Sequence, residues 1–193
     1  GGALEVPVFR RPRVSIIPSG SEIVPLVDAR EEDLRAGRVL PEFNSLIFSA
    51  MITTLINEQL IALDLKATRK EEVFTEMTRL LAAQGKVSDE QQFIKDLWAR
   101  EELDNTGFEE GVALPHAKSA AVSTPAVAIG ISRAGIDYGA EDGKPSRLFF
   151  MIASPAGGAN HHIEVLAELS AKLIEEGFIA KLLAAKTPAE ALA

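Results

Sequence analysis

Gly111-Val112-Ala113-Leu114-Pro115-His116-Ala117-Lys118 opens the part of the chain that decides the fold: an apolar run, a proline corner and an imidazole just past it. Val112 to Leu114 is the first of three apolar segments, and Val127 to Ile131 and Leu148 to Ala153 are the others. Glycine and proline punctuate the intervals, so the pattern predicts strands of one sheet. Upstream, Leu60-Ile61-Ala62-Leu63-Asp64-Leu65 is another run suited to a strand. Thr68-Arg69-Lys70-Glu71 and Ser88-Asp89-Glu90-Gln91 are capping-box patterns. They stand ahead of Val73, Met77, Leu80 and Leu81 in one case and Phe93, Ile94, Leu97 and Trp98 in the other, which predicts two amphipathic helices. Downstream, Ile163, Leu166, Leu169, Leu173 and Ile174 mark one helical stripe, Phe178, Leu182 and Leu183 a second short helix, and Thr187-Pro188 the opening of a last turn. The segments 135–139 and 156–160 read as turns. The class is α/β, with helices packed on a sheet.

The 193 residues are 47% hydrophobic, ample for a real core. With 20 Lys and Arg against 28 Asp and Glu, the net charge of −8 opposes phosphate-backbone binding, so nucleic acid is not an expected partner. Zero cysteines exclude disulfides, thiolate metal sites and a cysteine nucleophile. The longest apolar stretch, Ser45 to Ile56, is too short to span a bilayer, and the N-terminus lacks the pattern of a signal peptide. The expected location is the cytoplasm. Residues 1–50 hold six Arg and no Lys, whereas residues 51–193 hold five Arg and nine Lys. That shift, with Met51 at the join, divides the chain into an N-terminal appendage (1–50) and a main domain (51–193). In the appendage, Arg13-Val14-Ser15-Ile16-Ile17 reads as a strand, a polar loop follows, and a helix starts at Asn44.

The three histidines all fall at element boundaries, where sites are built. His116 stands directly after Pro115, and a neutral imidazole nitrogen accepts an acyl or phosphoryl group without a helper base. The bland reading is a structural histidine hydrogen-bonded in a loop. His162 stands four and seven residues ahead of Leu166 and Leu169 and so shares their inward face, while His161 is rotated away. The first turn of a helix is also a natural anion site. Against this, an inward histidine on an apolar face is usually a satisfied core residue. Arg100 closes the second amphipathic helix, where an arginine ordinarily offsets the helix dipole. No phosphate-binding loop, dinucleotide fingerprint, serine-hydrolase elbow or zincin helix is present in the sequence. Adjacent His161 and His162 do not readily chelate one zinc ion.

As an ordered set, Arg100-Glu101, Thr106-Gly107, the 111–118 block, Ala126-Val127-Ala128-Ile129-Gly130, Asp142-Gly143-Lys144-Pro145 and Asn160-His161-His162-Ile163-Glu164-Val165-Leu166 resemble a fructose/mannitol-type EIIA domain of the bacterial phosphotransferase system. The resemblance spans residues 51–193. It implies a mixed sheet of about five strands flanked by helices. It also implies a phosphocarrier without metal or cofactor, charged by the phosphohistidine of HPr and discharged to an EIIB domain of a sugar permease, so that contact with the membrane is only through EIIB. Since EIIB domains of this type accept on cysteine, the acceptor is implied to be another polypeptide. By the same resemblance, His116 matches the phosphorylated histidine, His162 the family's second histidine and Arg100 its active-site arginine. Thr106 matches a motif residue near the phosphoryl group, and His161 occupies a variable position. Nitrogen-type relatives of similar pattern act by binding other proteins, which is the alternative function. Within the appendage, residues 10–22 with Gly37-Arg38-Val39 and Asn44-Ser45 resemble the start of a MoeA-like molybdopterin molybdotransferase domain, with Ser19 and Ser21 departing from its Thr-Gly-Asp-Glu pattern.

Overall fold

A computed structural model describes residues 54–157 and 161–192. The strand expected over 13–17, the loop after it and the start of the helix expected from Asn44 lie outside them.

Helix α1 (Lys70–Ala83) buries Val73, Phe74, Met77, Thr78 and Leu81 along one side. Its start differs from the expected capping box. Arg69, at the N-cap, makes no side-chain cap bond. Instead Glu72, one residue later than expected, accepts the Thr68 N–H at 2.7 Å and the Thr68 hydroxyl at 2.8 Å. Those bonds, with the Arg69 guanidinium beside them, hold the Glu72 carboxyl down to about 2. Helix α2 (Glu90–Glu101) buries Phe93 and Leu97 and starts on Asp89, whose side chain accepts the Gln92 N–H at 3.0 Å. Ser88, the expected cap, turns away and donates through both its N–H and its hydroxyl to the Ala121 carbonyl. Asp89→Ala is therefore expected to cost about 1 kcal/mol of stability, while Ser88→Ala costs no cap bond. Urea unfolding midpoints of the two variants check this.

Five strands form one mixed sheet: β1 (Ile61–Ala62), β2 (Val112–Ala113), β3 (His116–Ser119), β4 (Ala126–Ile136) and β5 (Ser146–Pro155). β4 and β5 are antiparallel partners at the centre, and β1 lies parallel to β4 on its far side. β2 and β3 both run parallel to β5, with Val112 opposite Leu148 and His116 opposite Ile152. The offset is 36 residues in both pairs, so the two are one line of strand interrupted at Leu114-Pro115. The expected strand thus does not stop at Leu114. Pro115 lacks an N–H, yet its carbonyl still accepts the Ile152 N–H at 2.9 Å and carries the pairing across the break. The turn expected over 135–139 is also corrected, because Gly135, at φ +79, lies inside β4 where the register with β5 shifts.

Seven consecutive residues of β4 (126–132) and seven of β5 (148–154) are buried, which requires cover on both faces of the sheet. Tyr138 bridges Phe74 of α1 and Phe149 of β5 by ring contacts, and Met151 lies against Thr78 of α1. Residues alternating with these, Phe150 and Ile152, are equally buried. Helices α3 (His161–Leu173) and α4 (Phe178–Ala184) also pack on β5, and α5 (Pro188–Leu192) packs against β1. α5 opens as expected, with Pro188 first and the Thr187 hydroxyl accepting the Glu190 N–H. The stripe of α3 differs from expectation: Val165 and Leu169 are its buried pair, Ile163 is 47% exposed, and Ile174, 85% exposed, falls beyond the last helical residue. No helix among the described residues is long and apolar enough to cross a membrane.

Candidate active site

Two elements bring the expected pair together. The last turn of α2 carries Arg100, and the resumption of the strand after Pro115 carries His116. Arg100 Nε–H donates to His116 Nε2 at 3.0 Å, and its Nη1 donates to the Asp104 carbonyl at 3.0 Å. The other ring nitrogen, His116 Nδ1, lies 2.7 Å from the Leu114 carbonyl.

These contacts assign the tautomer. A guanidinium only donates, so Nε2 must accept and carries no proton; a carbonyl only accepts, so Nδ1 must hold the hydrogen. The half-buried ring is a neutral imidazole with its lone pair on Nε2. Burial is the main reason its pKa lies below the ordinary histidine value; the nearby Arg100 charge adds to this, and the bond to Leu114 opposes it. An unprotonated, aimed nitrogen beside a cation is what nucleophilic attack on a phosphoryl group requires.

The sign of the consequence for stability is fixed. A histidine whose folded pKa is depressed binds its proton more readily when unfolded, so its stabilising effect is present above about pH 6.5 and is lost as pH falls through the folded value. Urea unfolding of the wild type and of His116→Gln between pH 7.5 and 5.0 is expected to show the wild type losing stability faster on acidification. Parallel pH profiles would overturn the assignment.

Thr106, expected at the phosphoryl group, is placed elsewhere. It is 1% exposed, its N–H and hydroxyl both donate to Glu101, and its hydroxyl meets the Tyr138 hydroxyl at 3.0 Å. A buried hydroxyl so engaged has no hydrogen left for a phosphoryl oxygen. Glu101, Tyr138 and Lys70, which complete this cluster, were not singled out from the sequence as site residues. Glu101 stands in the quoted Arg100-Glu101 pair, but Tyr138 lay in a segment read as a turn. Burial pushes the Tyr138 phenol well above its ordinary value, with the Glu101 charge adding to the effect.

The loop from α2 to β2 is tightly fitted. A Cβ on Gly107 would stand 2.9 Å from Asn105 Oδ1, 3.0 Å from the Tyr138 ring and 3.2 Å from the Ala140 Cα, so glycine is required there by close approach. Glu110 adopts φ 60, and its N–H is held by the Asp142 carboxylate at 3.1 Å. Asp142 also accepts the Lys144 N–H at 3.0 Å, and these bonds, that to Lys144 first, hold its carboxyl below the usual range.

His161 and His162 occupy the first two positions of α3, which leaves the carboxyl end of β5. His162 precedes the buried Val165 and Leu169 by three and seven residues, the spacing of one helix face. Asn160 lies outside the described residues. Among the described residues, no group of three or more acidic or histidine side chains is arranged to hold a metal ion.

Comparison with known proteins gives a consistent picture. The family described as "Phosphoenolpyruvate-dependent sugar phosphotransferase system, EIIA 2" matches residues 54–193. The chain is 41% identical over 136 residues to the PTS system fructose-specific EIIABC component of Bacillus subtilis, a match covering 70% of this chain and only 21% of that much longer relative. It is 38% identical over 136 residues to the PTS system fructose-specific EIIA component of Haloferax volcanii, covering 70% of this chain and 88% of the relative. The fold superimposes on nitrogen regulatory protein IIA-Ntr from Neisseria meningitidis with a TM-score of 0.68 at 29% identity, covering 74% and 97% of the two chains. It also superimposes on the enzyme IIA chain from the Escherichia coli complex of enzyme IIAMTL with phosphorylated enzyme IIBMTL, with a TM-score of 0.62 at 27% identity, covering 71% and 94%. Residues 1–53 lie outside the family match, and the molybdotransferase resemblance of the appendage finds no support in these comparisons.

Proposed function

We propose that this chain, which belongs to the EIIA 2 family of the phosphoenolpyruvate-dependent sugar phosphotransferase system, carries a phosphoryl group on Nε2 of His116 between the phosphohistidine of HPr and an EIIB partner, in the uptake of fructose, mannitol or a similar sugar. The observation that carries this reading is the mooring of one imidazole from both sides, Leu114 at Nδ1 and Arg100 at Nε2.

In the step itself the Nε2 lone pair attacks phosphorus in line, the new N–P bond forms, and the donor's P–N bond breaks with its electron pair returning to the donor nitrogen. The donor ring leaves as neutral imidazole when its other nitrogen is protonated, and the His116 ring takes on that positive charge. The Leu114 carbonyl then faces Nδ1–H of an imidazolium and stabilises it. Arg100 gives up its bond to Nε2 as the lone pair is used, and its N–H groups turn to the phosphoryl oxygens. His162, at the first turn of α3, is proposed to donate to the same oxygens, as the family resemblance implies. Transfer onward reverses the step with the nucleophile of EIIB, and an EIIB partner is supported by the mannitol-type complex among the structural relatives.

The test is incubation with phosphoenolpyruvate, Enzyme I and HPr, followed by intact mass and by phosphorus NMR. One acid-labile phosphate, with the shift of an Nε2-phosphoimidazole, is expected. An uncharged chain in the presence of charged HPr would overturn the reading. A regulatory role is the second reading, favoured by the superposition on the nitrogen regulatory protein. Charging without transfer to any sugar-type EIIB would select it.

A further inference from the structure

The Glu101 carboxylate, next in sequence to Arg100, is 6% exposed and held from several sides. Lys70 of α1 donates to it at 2.6 Å, the Thr106 hydroxyl at 2.5 Å and the Thr106 N–H at 3.3 Å. The Thr106 hydroxyl has one hydrogen and gives it to Glu101, so the Tyr138 O–H must be the donor in the 3.0 Å contact between the two hydroxyls. The donors thus run from Lys70 directly to Glu101, and from Tyr138 to Thr106 and from Thr106 to Glu101. Lys70 Nζ also stands 4.2 Å from the centre of the Tyr138 ring.

None of these groups touches the reacting nitrogen, yet the segment they clamp ties into both moorings of His116. The Thr106 carbonyl accepts the Leu114 N–H at 2.8 Å, and the Leu114 carbonyl in turn holds His116 Nδ1. Two residues before Thr106, the Asp104 carbonyl holds Arg100 Nη1. We infer that Thr106, clamped by Glu101 and Tyr138, is a positioning residue that fixes the tautomer of His116 through Leu114 and the pose of Arg100 through Asp104. This rests on the reading of His116 as nucleophile. A buried ion pair such as Lys70–Glu101 is poor evidence of stability as such, since hydrophobic replacement is often neutral. What the cluster supplies is register between the end of α2 and the start of β3.

The test uses Thr106→Val, which keeps shape and backbone but removes the hydroxyl, with Thr106→Ser as the conservative rescue. The readouts are the 15N shifts of the His116 ring and the rate of charging by HPr. Thr106→Val is expected to shift ring nitrogens away from a single Nδ1–H tautomer and to slow charging by about 10-fold or more. Thr106→Ser is expected to recover most of both. A folded Thr106→Val protein with wild-type ring shifts and charging rate would overturn the inference. Should that variant fail to fold, Tyr138→Phe decides: ring shifts moved in the same direction support the inference, and unchanged shifts overturn it. The ring shifts need no phosphoryl donor, so failure of the wild type to charge would count against the proposed function while the NMR still judges the positioning.

Discussion

His116→Ala is expected to abolish charging altogether: after incubation with phosphoenolpyruvate, Enzyme I and HPr, the variant keeps its unmodified mass while the wild type gains one acid-labile phosphate. The expectation is all-or-none because the groups bonded to the ring cannot take over its role. The ring supplies the aimed lone pair, and among the described residues the groups bonded to it are a cation and a carbonyl, neither of which is nucleophilic. Alanine leaves the backbone pairing to Ile152 in place, so the strand is expected to form and the loss to be chemical. His116→Gln adds a control, since its amide can bridge Arg100 and Leu114 without accepting a phosphoryl group. A phosphate of the same lability on either variant would put the acceptor elsewhere, with His162 the first residue to examine.

Arg100→Ala is expected to lower the rate of charging by about 10²- to 10³-fold, the usual effect of removing one preorganised donor from developing charge. The variant loses two things at once. The phosphoryl oxygens lose a cation, and Nε2 loses the N–H that keeps its proton off in the resting state. Arg100→Lys separates them. Lysine restores charge, but it cannot give one N–H to Nε2 and another to Asp104 from a planar fork. If aim matters as much as charge, the lysine variant recovers little. Single-turnover charging from phospho-HPr is the measurement, with melting curves to confirm folding. A wild-type rate in Arg100→Ala would remove arginine from the mechanism and leave it the role of a helix-end cation.

How much of this was legible beforehand depended on the range of the interaction concerned. Leu148–Ala153 and Val127–Ile131 are apolar runs whose burial on both faces is written in composition, whereas the more polar ends that extend them to Ser146–Pro155 and Ala126–Ile136 are not. His-Ala-Lys-Ser holds a single apolar residue, so hydropathy does not mark β3 although its burial alternates; it is a strand because β5 offers a paired edge, which no local pattern reports. The caps erred by one residue in each helix. Thr68 and Ser88 match the motif, but competing partners, Glu72 for one and the Ala121 carbonyl for the other, decided where the bonds went. Hydrophobicity alone puts Ile163 and Ile174 on the inward stripe, whereas the surface that α3 covers centres on Val165 and Leu169. At the site, the pairing of Arg100 with His116 came from a resemblance that spans the domain. The clamp around Thr106 joins residues as far apart as Lys70 and Tyr138, a distance over which spacing carries no signal.

The interruption at Pro115 has a bearing on colloidal behaviour. The longest strands of the described sheet, β4 with 11 residues and β5 with 10, are both interior. One margin of the sheet is the two-residue β1, and the other is a line of two and four residues interrupted at Pro115, where the outward Val112 carbonyl and Leu114 N–H are already taken by the Phe108 N–H and the Thr106 carbonyl. A neighbouring molecule needs a continuous row of unpaired backbone groups to add its own strand, and neither margin supplies one. Among the described residues, the corner that presents the imidazole therefore also keeps this margin from offering a continuous backbone row to which a second molecule could add a strand.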